Sequence, residues 1–180
     1  MKKTLFVIFV LASIFTILSC HAVETGTETF APGLTQKGWR YFKIGDLDTA
    51  LKRFRQATIL DPDFAPGYYG VGYIYSIQNR YSLAIQYYRK AVELADPPDT
   101  HAYGNLGSAL MMIDQKQEGL QMVQKALEID SENGEAHISL ANYYCAEKNG
   151  KRARAHLEKA KVVDVQPEPQ LVEKMKTECP

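Results

Sequence analysis

Residues 38–62 constrain this chain most. Gly38, Tyr41, Gly45, Ala50, Phe54, Ala57 and Pro62 set out small and aromatic residues at helical spacing, broken at Gly45. A small residue on one helix leaves a hole that an aromatic of an antiparallel partner fills. The order returns three times. Gly72, Tyr75, Ala84, Tyr88 and Ala91 repeat it 34 residues later, and Gly107, Gly119, Val123 and Ala126 after 35 more. Ala141, Tyr144, Ala153, Leu157 and Ala160 repeat it after a further 34. A period of about 34 residues with helix–turn–helix content marks an array of helix pairs.

Over residues 31–167 these positions resemble the tetratricopeptide repeat (TPR) family. The resemblance implies an all-α fold, a right-handed superhelical solenoid of four helix pairs plus a C-terminal capping helix. The repeat region is 32–167, with repeats at about 31–64, 65–98, 100–133 and 134–167, and the cap is 168–180. The family is defined by packing positions, so the resemblance specifies fold far more sharply than function.

Local signals agree with that division. Pro32 and Pro66 sit where first helices start. Gly45-Asp46 makes the first turn, and Asn79 tolerates the left-handed conformation at the second. Lys148-Asn149-Gly150 supplies the fourth. Asp61-Pro62 ends a helix. Thr100 is the expected N-cap of the third repeat. Gly119 replaces the usual Ala of a second helix, at a cost of up to about 1 kcal/mol, which makes that helix the softest expected. Leu171, Val172 and Met175 form the apolar stripe of the cap, with Glu173, Lys174, Lys176 and Glu178 as its polar face.

The first twenty residues read as a signal peptide. Met1-Lys2-Lys3 is basic, and Leu5 to Ser19 is apolar and uncharged but shorter than a membrane span. Ile17-Leu18-Ser19-Cys20 resembles a bacterial lipobox, with Leu18 a less usual middle residue. That resemblance implies acylation of Cys20 as the mature N-terminus. His21 in place of Asp after the Cys implies the outer membrane, facing the periplasm. The other reading is ordinary cleavage before Val23, which gives a soluble periplasmic or secreted protein. Residues 21–31 read as a flexible tether.

Charge argues against whole classes of partner. Lys+Arg and Asp+Glu both number 21. Without residues 1–20, which hold Lys2, Lys3 and no acid, 19 basic and 21 acidic side chains remain. A nucleic-acid binder needs a basic stripe, and none is present. The only membrane association expected is through the lipid. No phosphate loop occurs, and no cofactor is expected. His21, His101, His137 and His156 include no i, i+4 pair and none beside a Cys at ligand spacing, so no metal site and no catalytic residues are assigned. Asp46/Asp48, Asp61/Asp63 and Asp96/Asp99 lie at helix boundaries, where capping explains them. The expected protein is not an enzyme.

Cys145 and Cys179 invite a bridge in an oxidising compartment. In repeat register they lie side by side on adjacent first-type helices. Axes about 8–10 Å apart exceed the roughly 7 Å that a disulfide allows between Cα atoms. The bridge therefore needs the C-terminal turn to fray or lean inward, and two free thiols is the other outcome.

In the TPR family the first helix of each repeat lines a concave groove. The resemblance places Trp39 and Phe42 there from repeat one, and Tyr69, Tyr73 and Ile77 from repeat two. Met111 and Met112 follow from repeat three, and Ile138 and Asn142 from repeat four. Aromatics and Met are the types enriched at interface hot spots. Thr35 and Trp39 stand where carboxylate-clamping members carry Lys and Asn, so an acidic-tail ligand is not expected. The implied function is an interaction scaffold or adaptor of the bacterial envelope that holds a protein or peptide, similar to pilotins or to adaptors of peptidoglycan enzymes. The alternative is a periplasmic delivery protein with a glycan or lipid in the aromatic groove.

Overall fold

The computed structural model describes residues 30–162 together with Glu173, Thr177 and Cys179. The expected signal peptide and Cys20 lie outside these residues. So does the tether, except for Phe30 and Ala31, and Ala31 already begins the first helix. Of the expected cap only Glu173, Thr177 and Cys179 are described. The described residues form eight α-helices and no strand, in keeping with the all-α fold that the resemblance implies. No helix among them is long and apolar enough to cross a membrane.

The chain divides into two units, one ending at Pro62 and the other starting at Asp63. The first unit holds α1 (Ala31–Lys43) and α2 (Leu47–Leu60). The second holds α3 (Ala65–Ile77), α4 (Tyr81–Leu94), α5 (Thr100–Met112), α6 (Lys116–Ile129), α7 (Gly134–Ala146) and α8 (Gly150–Val162). Odd-numbered helices open each pair and even-numbered helices close it.

Each pair turns through one left-handed residue. These are Gly45 (φ 82°), Asn79 (57°), Asp114 (65°) and Lys148 (56°). The amide after each reaches back five residues, Asp46 N–H to Tyr41 C=O and Arg80 N–H to Tyr75 C=O. Gln115 N–H does the same to Leu110 C=O, and Asn149 N–H to Tyr144 C=O. This satisfies carbonyls that a helix end leaves open. The fourth turn falls at the expected Lys148-Asn149-Gly150, but only its first two residues lie outside the helix. Gly150 begins α8, and Lys148 takes the left-handed position.

Helix starts follow the sequence with one correction. Pro occupies the first turn of α1 and α3. Asp46 caps α2 by accepting from Thr49 N–H at 3.0 Å, which holds its carboxyl below the usual range. α5 is capped by Asp99, not Thr100. The Asp99 carboxylate accepts from His101 N–H at 2.9 Å and Ala102 N–H at 3.3 Å. Thr100 lies inside the helix, where its hydroxyl donates to Ala126 C=O at 3.1 Å and accepts from Asn133 Nδ2 at 3.0 Å. An ionised acceptor makes the stronger cap, which frees the neighbouring hydroxyl for a tertiary bond.

The cores repeat a small-to-large contact. A Cβ on Gly38 would lie 2.6 Å from the Phe54 ring, and one on Gly72 would lie 2.8 Å from Tyr88. Both aromatics are fully buried. In the third pair a Cβ on Gly107 would meet Val123 Cγ2 at 2.5 Å and Gly119 C=O at 2.6 Å. Gly119 is buried, with Gly107 C=O and Met111 Cγ each 2.7 Å from where its Cβ would be. Its role is close approach of α5 and α6, which its helix propensity alone does not reveal.

Candidate functional site

In the first unit, Trp39 is half-buried. Its ring sits edge-on to Phe42 at 5.8 Å and to the core Phe54 at 4.9 Å. Edge-to-face contacts at these distances are favourable packing, so Trp39 is partly a core residue of its own pair.

In the second unit, side chains join the first helices α3, α5 and α7. Asn105 Nδ2 of α5 donates to Tyr69 Oη of α3 at 2.9 Å. Ser108 of α5 and Ser139 of α7 lie 2.9 Å apart. His101 Nδ1 of α5 and Glu135 Oε2 of α7 lie 2.7 Å apart on the exposed side. The groove residues expected on α3, α5 and α7 therefore occur on helices that are laterally bonded within one unit.

Their environments differ. Tyr69 packs against Tyr73 at 6.1 Å and against the buried Tyr88 at 5.8 Å. Burial pushes the Tyr69 phenol up, with the Tyr88 hydroxyl and then Glu135 adding to it. Tyr73 is half-buried, and its phenol is raised by burial and then by Glu135. Both stay neutral at physiological pH, so they offer hydrogen bonds and ring faces rather than a nucleophile. Ile77 and Met112 are the last helical residues of α3 and α5, and they are 48% and 61% exposed. Asn142 is exposed on α7. Met111 turns inward and Ile138 packs on the Ala141–Cys145–Leu157 cluster, so these two serve the core more than the surface.

A cavity of about 390 Å³ opens between α5, the start of α6 and α7. Ser108 and Ser139 lie at it, with Met111 and Met112 on the α5 side and Asn142 and Ala146 on α7. Lys116 at the first position of α6 also lines it. Lys116 Nζ reaches Glu147 Oε1 at 3.2 Å. That hydrogen bond and the charge of Glu147 raise the Lys116 pKa. Sequence reading missed this cavity, because it results from two small residues 31 positions apart.

The last pair holds two further features. Cys145 and Cys179 form a disulfide with Cα atoms 5.3 Å apart. Cys179 is fully buried beside Ala141, Ala153 and Leu157, and Arg154 donates to its carbonyl at 3.0 Å. His137 of α7 and His156 of α8 meet through their Nδ1 atoms at 3.1 Å. His137 Nε2 donates to Ser131 C=O at 3.2 Å, so its Nδ1 accepts from His156. Tyr144 stacks on His156 at 5.5 Å, and Arg152 lies over Tyr144 at 5.3 Å. Burial lowers both imidazole pKa values. His156 is further lowered by His137, Lys159 and Arg152. The pair crosses two helices, so a spacing rule for one helix does not find it.

Known proteins share the fold of paired helices. One tetratricopeptide repeat model matches residues 35–100 and a second matches 100–133. No curated protein matches the chain. Among solved structures, one described as a crystal structure of MamA is 20% identical. It covers 80% of this chain and 84% of its own, with a TM-score of 0.64. Another, described as a functional characterisation of Pseudomonas aeruginosa pilF, is 21% identical over 83% of this chain and 68% of its own, with a TM-score of 0.68. A third is YrrB, described as a TPR protein with an unusual peptide-binding site. It is 23% identical over 87% of this chain and 96% of its own, with a TM-score of 0.58. With repeat models spanning 35–133 and helix pairs that turn at every period, this chain belongs to the tetratricopeptide repeat family.

Proposed function

We propose that this protein is a non-catalytic interaction scaffold of the bacterial cell envelope. It holds a peptide segment of a partner protein on the face formed by α3, α5 and α7. The observation that carries this reading is the pairing of half-buried Tyr69 and Tyr73 with exposed Ile77 and Met112 on laterally bonded helices. Apolar and aromatic surface left open on a scaffold of buried cores favours a partner. The peptide-binding site in the description of YrrB supports the same use of the fold. A pilotin-like or other envelope-assembly role belongs to this reading.

Placement in the envelope, anchored through acylated Cys20 at the outer membrane and facing the periplasm, is the second half of the proposal. The Cys145–Cys179 disulfide supports it, because such bonds persist in oxidising compartments. Expression with the native N-terminus, membrane fractionation and intact mass test it. The expected mass starts at Cys20, carries acyl chains, lies in the membrane pellet and lacks the two thiol hydrogens. A soluble species starting at Val23 would remove the anchor, and two thiols titrating without reductant would remove the bridge. For the binding face, a photo-cross-linker at Tyr73 should give one discrete adduct with an envelope protein. Its absence would end that half of the reading.

A further inference from the structure

The cavity between α5, α6 and α7 has a chemistry that selects its occupant. Ser139 Oγ donates to Glu135 C=O at 3.0 Å, so Ser108 supplies the hydrogen between the two hydroxyls. Neither hydroxyl hydrogen is left orphaned, and an apolar group seated against the pair strands no donor. Met112, largely exposed, adds an unbranched thioether that reshapes around an apolar guest, and Met111 closes the inner side of the cavity. The one ammonium at the cavity, Lys116, is held by Glu147, so no uncompensated charge calls for an ionic ligand. A charged group entering would lose water, while Lys116 and Glu147 already neutralise each other and leave no net charge to attract it. Asn142 lines the same cavity, and its amide makes no hydrogen bond among the described residues. It offers donors and an acceptor matched to a peptide N–H and C=O. The volume, about 390 Å³, falls in the range of small-ligand sites.

We propose that this cavity is a subsite for one uncharged, methionine- or leucine-like side chain of an extended partner peptide, with Asn142 bonding the adjoining main chain. This rests on the reading of the α3–α5–α7 face as peptide-binding, and it adds a sequence preference to it. The compensated charge of the site disfavours Lys and Glu at that position of the ligand.

Methionine methyl resonances report on the site directly. The full chain, labelled at its Met methyl carbons, is titrated with acetylated, amidated Gly-Ser-X-Ser-Gly peptides in which X is Met, Leu, Lys or Glu. The Met and Leu peptides should shift the methyls of Met111 and Met112 but not that of Met122 on α6. They should bind at least about tenfold more tightly than the Lys and Glu peptides. Asn142→Ala should weaken the Met peptide about threefold to tenfold and keep the preference. Ala146→Leu, at an exposed helix end that lines the cavity, should narrow it and weaken the shifts from the Met peptide while the helical circular dichroism is unchanged. Equal shifts from all four peptides, or none from any, would overturn the proposal. So would shifts of Met111 and Met112 that track protein concentration without peptide, since a second copy would then be the occupant. The Tyr73 cross-link separates the two readings. If its adduct persists while the peptides fail, only the subsite is lost; if both fail, the face is not a peptide site.

Discussion

The second and third helix pairs use the same packing idea with different parts. In the α3–α4 pair a glycine takes an aromatic. Tyr88 lies against Gly72, fully buried, with its hydroxyl 3.2 Å from Ser76. Ser76 spends its own hydrogen on Tyr73 C=O, so Tyr88 donates. In the α5–α6 pair a glycine takes a glycine. Backbone meets backbone at Gly107 and Gly119, with Val123 beside them. A side chain can yield by tenths of an ångström, whereas a carbonyl fixed in a helix cannot. Equal burial therefore conceals unequal tolerance, and the pair with smaller residues is the less forgiving.

The largest expected effect tests that inequality. Gly107→Ala should cost about 3 kcal/mol or more, the upper range for overpacking, read from denaturant midpoints. Gly72→Ala meets only ring carbons and should cost less, about 1–3 kcal/mol. A double-mutant cycle sharpens the contrast. Tyr88→Leu should offset part of the Gly72→Ala cost, because the obstacle leaves with the ring. Val123→Ala should offset little of the Gly107→Ala cost, because Gly119 C=O remains 2.6 Å from the new methyl. If the Val123→Ala background rescues Gly107→Ala as fully as Tyr88→Leu rescues Gly72→Ala, the two pairs are packed alike.

Part of this contrast was legible beforehand. Gly72 opposite Tyr88 follows from the repeat pattern, and so do the paired helices, the Pro starts, the Asp46 cap and the left-handed Asn79. Gly119 was legible only as a poor helix former. Its packing role depends on which atoms face it across the pair, and one-dimensional spacing does not carry that. Asp114 and Lys148 at left-handed positions were hidden for a similar reason. There the period dictates the conformation and overrides residue preference. Asp99 displaced Thr100 as the cap because charge outweighs position by one residue. At the candidate site, the exposed ends Ile77 and Met112 and the tyrosines were legible through the family pattern. The Ser108–Ser139 cavity and the His137–His156 contact were not, since each joins residues on separate helices with no motif between them.

The last pair extends the comparison to a contact that titrates. Here α7 and α8 meet through two imidazoles whose neutral forms bond to each other and to Ser131 C=O. Both folded-state pKa values lie below the ordinary 6.5. A depressed value favours the neutral form, so this stability is complete above pH 6.5 and is lost as pH falls through the folded values. Lys159 and Arg152 oppose protonation, and Asp130 partly favours it at His137. From pH 7.5 down to 5, amide protection relative to the intrinsic exchange rate should fall in α7 and α8 and stay level in α3 to α6. His156→Gln should remove most of that change, at a cost near neutral pH of about 1 kcal/mol for the lost bond. Loss of protection spread evenly over all pairs would show that the acid sensitivity does not come from the imidazoles.

The smallest effect returns to α5, where tight and open positions stand one turn apart. Gly104 is buried like Gly107, yet a Cβ there would find Ala126 Cβ and Asn133 Oδ1 at 3.9 Å and Ala136 Cβ at 4.0 Å. These are ordinary van der Waals separations. Its φ is helical, so an added methyl meets no backbone strain. Gly104→Ala should therefore stabilise the protein by about 0.5–1 kcal/mol, through reduced freedom of the unfolded chain. Calorimetric unfolding should show the midpoint rise. Opposite signs for Gly104→Ala and Gly107→Ala, three residues apart on one helix, would localise the close approach to the turn that faces Gly119. A fall in stability at Gly104 would instead mean that α5 is tight along its length, and the inflexibility would then belong to the whole pair.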